Sequence, residues 1–223
     1  MVLYEDNHLL VVNKPAGLAT MGAAPGEPSL VDACKQYLKA KYGKEGNVYL
    51  GVVSRLDAVV SGVIVFARTS KSAARLNEQF REWETEKTYW AFVEHPPSPP
   101  SGTCVDWLAK DDDAHRTRIV SPETRDAKEA RLDYRLLQTT PAGALVEVNL
   151  KTGRKHQIRV QFENLGCPIL GDRKYGGRGE FRGGIPLHAR KLTILHPTRK
   201  EFMTFTAPPP ATWGHLGIDM QAD

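Results

Sequence analysis

The amino-acid sequence predicts an α+β protein with a mostly antiparallel sheet. Short apolar runs bounded by Gly/Pro turns recur along the chain, only three segments carry helical periodicity, and strands in the second half follow one another with a single helix between them. Leu9-Leu10-Val11-Val12 reads as a buried strand closed by the turn Asn13-Lys14-Pro15-Ala16-Gly17, with a Gly/Pro loop over 21–28 behind it. Ser29 starts a helix, Asp32 completes a capping-box spacing, and Leu30, Ala33, Cys34, Tyr37 and Leu38 share a face until Gly43 stops it. Residues 62–67 form a second buried strand. Ser70 then caps a helix whose Ala73, Leu76, Phe80 and Trp83 are spaced to pack on a sheet, and 87–94 returns as a strand.

The run Pro96-Pro97-Ser98-Pro99-Pro100 cannot donate backbone hydrogen bonds and divides one domain, 1–223, into sub-halves of about 1–95 and 101–223. Beyond it, strands are expected over 131–137, 144–150, 192–195 and 202–205. The helix among them runs over about 155–165 and ends at Gly166, with Pro168 behind.

Composition restricts function. The chain has 223 residues, 41% hydrophobic and 25% charged, with no apolar run near the ~18 residues of a membrane span. A soluble protein is expected, without a membrane partner. Cys34, Cys104 and Cys167 are an odd number with no CxxC, which argues against disulfides and zinc knuckles and for a reducing, cytoplasmic compartment. The seven histidines are scattered without metal-ligand spacing, so no metal is expected. Net charge is only +4, but residues 151–200 hold twelve Lys/Arg against three acids, a net of +9 that leaves −5 for the remainder. Such asymmetry points to a polyanion, nucleic acid first; a solvated basic face is the other reading.

Three segments carry candidate chemistry. Arg55-Leu56-Asp57 lies in a loop before the strand at Gly62, where a carboxylate can act as nucleophile or general base; position alone favours a turn-forming or ion-paired Asp57. The segment 151–159, Lys-Thr-Gly-Arg-Lys-His-Gln-Ile-Arg, concentrates hydrogen-bond donors at a strand-to-helix junction, which attracts phosphate and makes Arg154 and His156 candidate substrate contacts. Ile158 and Arg159 point different ways there, so one packs while the other reaches a carboxylate. Lys87 and Tyr89 share one side of a strand, where a tyrosine beside a cation can stack on a base or serve edge packing.

In order, the segments at 7–17, 54–57 with Ser61-Gly62, Lys87-Thr88-Tyr89, 152–159, 168–172 and 187–189 resemble the RluA-type pseudouridine synthases over roughly residues 3–210. The resemblance implies a mixed, mainly antiparallel sheet split around a central catalytic cleft. It implies that Asp57 starts breakage of the uridine glycosidic bond, that Tyr89 stacks on the target base, that Ile158 is an apolar platform, that Arg159 pairs with the aspartate, and that Arg55 helps displace the base. The implied reaction isomerises uridine to pseudouridine, gains and loses no atoms, and calls for no cofactor. Ser54 and Val60 stand where the family has His and Thr, which points to altered RNA contacts. Because the family pattern begins within ten residues of Met1, a bare catalytic domain without the small N-terminal RNA-binding domain is expected, acting as a monomer. Ribosomal RNA is the expected partner, transfer RNA the alternative. A non-catalytic RNA-binding protein on this scaffold and a small-molecule enzyme unrelated to RNA are the competing classes.

Overall fold

The computed structural model describes residues 2–22, 26–82, 84–111 and 114–220. In chain order they form β1 (Val2–Glu5), β2 (Leu9–Lys14), α1 (Leu30–Tyr42), β3 (Gly51–Val52), β4 (Ser61–Ala67), α2 (Ser70–Arg81) and β5 (Glu86–Val93). There follow β6 (Ser101–Asp111), β7 (Arg116–Val120), β8 (Lys128–Thr140), β9 (Gly143–Leu150), α3 (Gln157–Asn164), β10 (Leu187–Leu195) and β11 (Phe202–Thr206). The chain divides into two compact units, Met1–Thr85 with Ala189–Pro208, and Glu86–His188 with Pro209–Asp223. This is the expected α+β architecture, and the strand registers within each unit are antiparallel.

In the first unit, β2 and β4 explain their continuous apolar sequences by carrying a layer on each face. Leu9 and Val11 of β2 pack with Val63 and Val65 of β4 against Ala73 and Leu76 of α2 and against Leu192, Ile194 and Phe205. Leu10, Val12, Ile64 and Phe66, on the opposite face, meet Leu30, Val31, Cys34 and Leu38 of α1. Period-two alternation therefore assigns each helix its own side. Gly62 permits the close approach of β10: its φ is +119°, and a Cβ there would lie 2.3 Å from the carbonyl oxygen of Ala189.

Helix α1 has the expected capping box between Ser29 and Asp32 and ends on a left-handed Gly43. Its buried stripe is Leu30, Val31, Cys34 and Leu38, while Ala33 is exposed and Tyr37 turns outward to donate to the Glu5 carboxylate at 2.9 Å. A hydroxyl with a charged acceptor at the rim gains more from that bond than from packing. Helix α2 is capped by Thr69, whose Oγ1 accepts from the Ser72 amide, rather than by Ser70. Trp83, expected on its packing face, lies outside the described residues.

The second unit is an antiparallel sheet in the order β5-β9-β8-β6-β7, built from the hairpins β6-β7 and β8-β9. One core joins Trp90, Phe92 and Leu145 to Leu170, Trp213 and Leu216; another joins Leu108 and Ala130 to Val160 of α3 and Tyr175. The proline run is a connection inside this unit, not its border: the Pro100 carbonyl accepts from the Leu136 amide at 2.7 Å, and Pro99 accepts from the Tyr134 hydroxyl. Strand β8 extends beyond the expected 131–137, and β10 begins at Leu187 rather than 192. Strands β6 and β7 lack an uninterrupted apolar run, because charged residues break into both, and partner strands supply the ordering. Helix α3 starts at Gln157 instead of 155, since His156 adopts a left-handed φ of 56°.

Candidate active site

Asp57 sits on the loop between β3 and β4, and its neighbours in sequence are tied on both sides to the exit of β2. The Thr20 Oγ1 donates to the Leu56 carbonyl at 2.9 Å and accepts from the Leu56 amide at 3.2 Å. On the other side, the Ala58 carbonyl accepts from the Gly17 amide at 2.8 Å and from Lys14 Nζ at 3.1 Å. Asp57 closes a turn as well, its carbonyl accepting the Val60 amide at 3.1 Å. The turn and catalytic readings are therefore compatible: a fixed main chain presents a half-buried carboxylate. Arg55, two residues earlier, is exposed.

Lys14 is the post of this assembly. It is fully buried, and its ammonium donates to the carbonyls of Pro15 at 2.9 Å, Leu18 at 2.7 Å and Ala58. Burial pushes its pKa down to about 8, while the charge of Asp57 acts the other way. At neutral pH the three ammonium protons thus match three carbonyls.

The other candidates belong to the second unit. Tyr89 and Lys87 lie on β5, both half-buried while Trp90 to Val93 are fully enclosed. Tyr89 is opposite Val148 of β9. Burial lowers the Lys87 ammonium to about 8. At the start of α3, Gln157 organises the junction, its Oε1 accepting from Thr152 Oγ1 at 2.7 Å and from the Arg154 amide at 3.0 Å. Arg154 Nε bonds the Glu129 carbonyl at 2.8 Å. Ile158 is buried, 4% exposed.

Arg159 reaches a carboxylate, as the helical geometry of the junction suggested. It is 6% exposed, and its Nε and Nη2 form a two-pronged pair with Asp172 at 2.7 and 2.8 Å. Its guanidinium carbon also lies 4.9 Å from the centre of the Tyr175 ring. The Tyr175 hydroxyl meets His156 Nδ1 at 2.7 Å. Sequence reasoning gave Asp172 and Tyr175 no role; Asp172 stood in a quoted motif, but nothing in sequence spacing joins it to Arg159.

The basic segment is divided between the two units. Arg190, Lys191, Arg199 and Lys200 lie in the first unit, whereas its other eight cations and all three acids lie in the second. Several are engaged internally: Lys151 pairs with Asp133 at 3.2 Å, Lys174 donates to the His115 carbonyl, and Arg190 to the Ala207 carbonyl. Among the described residues, no group of three His, Cys, Asp or Glu could hold a metal, and no helix is long and apolar enough to cross a membrane.

Comparisons with known proteins agree with the ordered motifs. The family model described as RNA pseudouridylate synthase matches residues 8–164. The dual-specificity RNA pseudouridine synthase RluA of Escherichia coli K12 is 39% identical over 213 residues, covering 93% of this chain and 92% of that protein. An RNA pseudouridine synthase of Synechocystis is 33% identical over 220 residues, covering 96% of this chain and 67% of its own. Among solved structures, human RNA pseudouridylate synthase domain containing 4 superposes with a TM-score of 0.80 at 28% identity, over 98% of this chain and 93% of that one. A likeness that spans nearly the whole chain in both sequence and fold leaves one conclusion: the chain belongs to the RNA pseudouridine synthases, as a catalytic domain of the RluA type.

Proposed function

We propose that this enzyme isomerises specific uridines of structured RNA, ribosomal RNA first and transfer RNA second, with Asp57 as the nucleophile or base. The observation that carries this reading is the loop at 56–58, whose backbone is fixed by Thr20, Gly17 and Lys14 on either side of the carboxylate. Such rigidity is what a group aimed at one atom of a substrate needs. The C1′–N1 bond breaks and C1′–C5 forms, so the C5 proton leaves and N1 gains one. A stacked uridine hides these atoms, and the base is turned out of the helix to be reached.

In this reading Tyr89 stacks on the displaced base, with Ile158 as apolar support, and Arg159 is the basic partner of the aspartate. Arg55 helps move the base, and Lys87, Arg154 and His156 contact the phosphates or the base. Val60, where the family has Thr, is 3% exposed and packs in the core, which supports the survival of the chemistry in this variant loop. The enzyme acts as a monomer in the cytoplasm, consistent with three buried free thiols. The dual specificity named for the Escherichia coli relative supports keeping both RNA classes.

Mapping of pseudouridines in total RNA from cells with the gene, without it, and carrying Asp57→Asn tests the proposal. A site lost on deletion and not restored by the variant is expected, and its RNA identifies the target. No lost site would favour the RNA-binding-only reading.

A further inference from the structure

Asp172 and Tyr175 are absent from the chemistry above, yet they hold two residues that are in it. Asp172 is 2% exposed and its main chain is fastened three times: its amide donates to the Ile169 carbonyl at 3.0 Å, and its carbonyl accepts from Tyr175 and Gly177, each at 2.9 Å. Gly177 is needed for this closeness, since a Cβ there would lie 2.3 Å from the Ile169 oxygen. The carboxylate is thus a fixed anchor. A two-pronged pair with it fixes the plane of the Arg159 guanidinium as well as its position.

Tyr175 is fully buried, and its ring lies 4.9 Å from the Arg159 guanidinium carbon and 5.1 Å from that of Arg116. The latter is itself tethered to Glu163 at 2.9 and 3.2 Å. The hydroxyl accepts the Thr117 amide at 2.9 Å and lies 2.7 Å from His156 Nδ1, to which it donates in the tautomer that leaves Nδ1 unprotonated. Burial holds this phenol above its ordinary pKa, which keeps that proton in place. A neutral His156 accepting at Nδ1 carries its hydrogen on Nε2 and is a donor there. His156 is also held in the left-handed region, φ 56°, which is uncommon outside glycine and clusters at functional positions.

We infer that Asp172 and Tyr175 are positioning residues for the isomerisation: Asp172 sets the plane and reach of Arg159, and Tyr175 aligns Arg159 through its ring and His156 through its hydroxyl. This rests on Arg159 serving Asp57 and His156 contacting the RNA as proposed. Both basic groups are then already oriented when RNA binds, with no side-chain ordering left for the moment of reaction.

The test is tritium release from total RNA of gene-deletion cells grown on [5-³H]uridine, which holds the unmodified native target, read as kcat and KM with unfolding temperature alongside. Arg159→Lys retains charge but loses the fork and should lower kcat. Asp172→Asn should lower kcat on the order of 10²-fold with KM unchanged, the effect of misplacing a reacting group. The double variant should be no worse than the poorer single one, because both remove the same arrangement. Asp172→Glu keeps the charge and fold while moving the fork by one methylene, and should fall between wild type and Asp172→Asn. Tyr175→Phe keeps the ring and should reduce turnover in a wild-type background but not in a His156→Ala background. Full kcat in Asp172→Asn and Asp172→Glu, or independent multiplication of the Arg159 and Asp172 effects, overturns the inference while the role of Arg159 stands. Full kcat in Arg159→Lys instead removes the reading beneath it.

Discussion

In the first unit the loop of Asp57 is held by its main chain, through the Leu56 and Ala58 carbonyls and the Leu56 amide, which suits the role proposed for the Asp57 side chain. In the second unit Arg159 is held by its side chain, in a buried pair with Asp172 over the Tyr175 ring. The difference follows from the groups themselves. A short carboxylate is oriented once its backbone is fixed, whereas a guanidinium at the end of four rotatable bonds must be gripped at its tip.

The comparison can be broken most severely at Asp57. Asp57→Asn should cost at least about 10³-fold in turnover, the scale of losing a reacting group, while filter binding of RNA and the unfolding temperature stay near wild type. A large loss of stability would mean that the carboxylate, not the main chain, holds the loop. Next comes Lys14→Met, which removes the ammonium from the Pro15, Leu18 and Ala58 carbonyls, of which Ala58 keeps the Gly17 amide, at ~1–3 kcal/mol in all. Both the unfolding free energy and kcat should fall; a fall in stability alone would detach Lys14 from the placement of Asp57. Activity should also decline above pH about 8, as Lys14 gives up a proton and one carbonyl loses its partner.

Thr20→Val removes both bonds to Leu56, and chemical denaturation should show a loss of about 1–3 kcal/mol. The smallest effect concerns acid. Burial would raise the Glu5 pKa, but hydrogen bonds from Lys41, Tyr42 and Tyr37 hold it down to about 2, and Asp6 is likewise held at about 2. Because these folded-state values lie below the ordinary ones, the stabilisation is full above about pH 4.5 and is lost as pH falls toward 2. Hydrogen exchange on acidification should therefore open the first unit earlier, and Glu5→Gln should flatten its profile. Simultaneous opening of both units would show that this cluster does not govern the first.

Much of this was written locally. Leu9 to Val12 and 62–67 are apolar at every position, which only a strand covered on both faces requires, and Ser29, Asp32 and Gly43 mark the ends of α1 through caps that act within a few residues. Strands β6 and β7 were not legible, since their order comes from pairing with each other and of β6 with β8, which their own composition does not announce. Tyr37 reads as core by spacing and turned outward because Glu5, 32 residues away, offers a charged acceptor. The basic run 151–200 read as one feature, but the chain crosses from one unit to the other at Ala189 and divides it.

By itself, then, the sequence determined the fold class, the ordered motifs and the reaction class, because caps, periodicity and motif order are properties of neighbours along a chain. Only the tertiary structure decided that Lys14 braces the loop of Asp57 across 44 residues, and that Asp172 and Tyr175 hold Arg159 and His156. Hydrogen bonds and ion pairs act over about 3 Å of space, whatever the separation in sequence, and the fold alone sets which groups come that close.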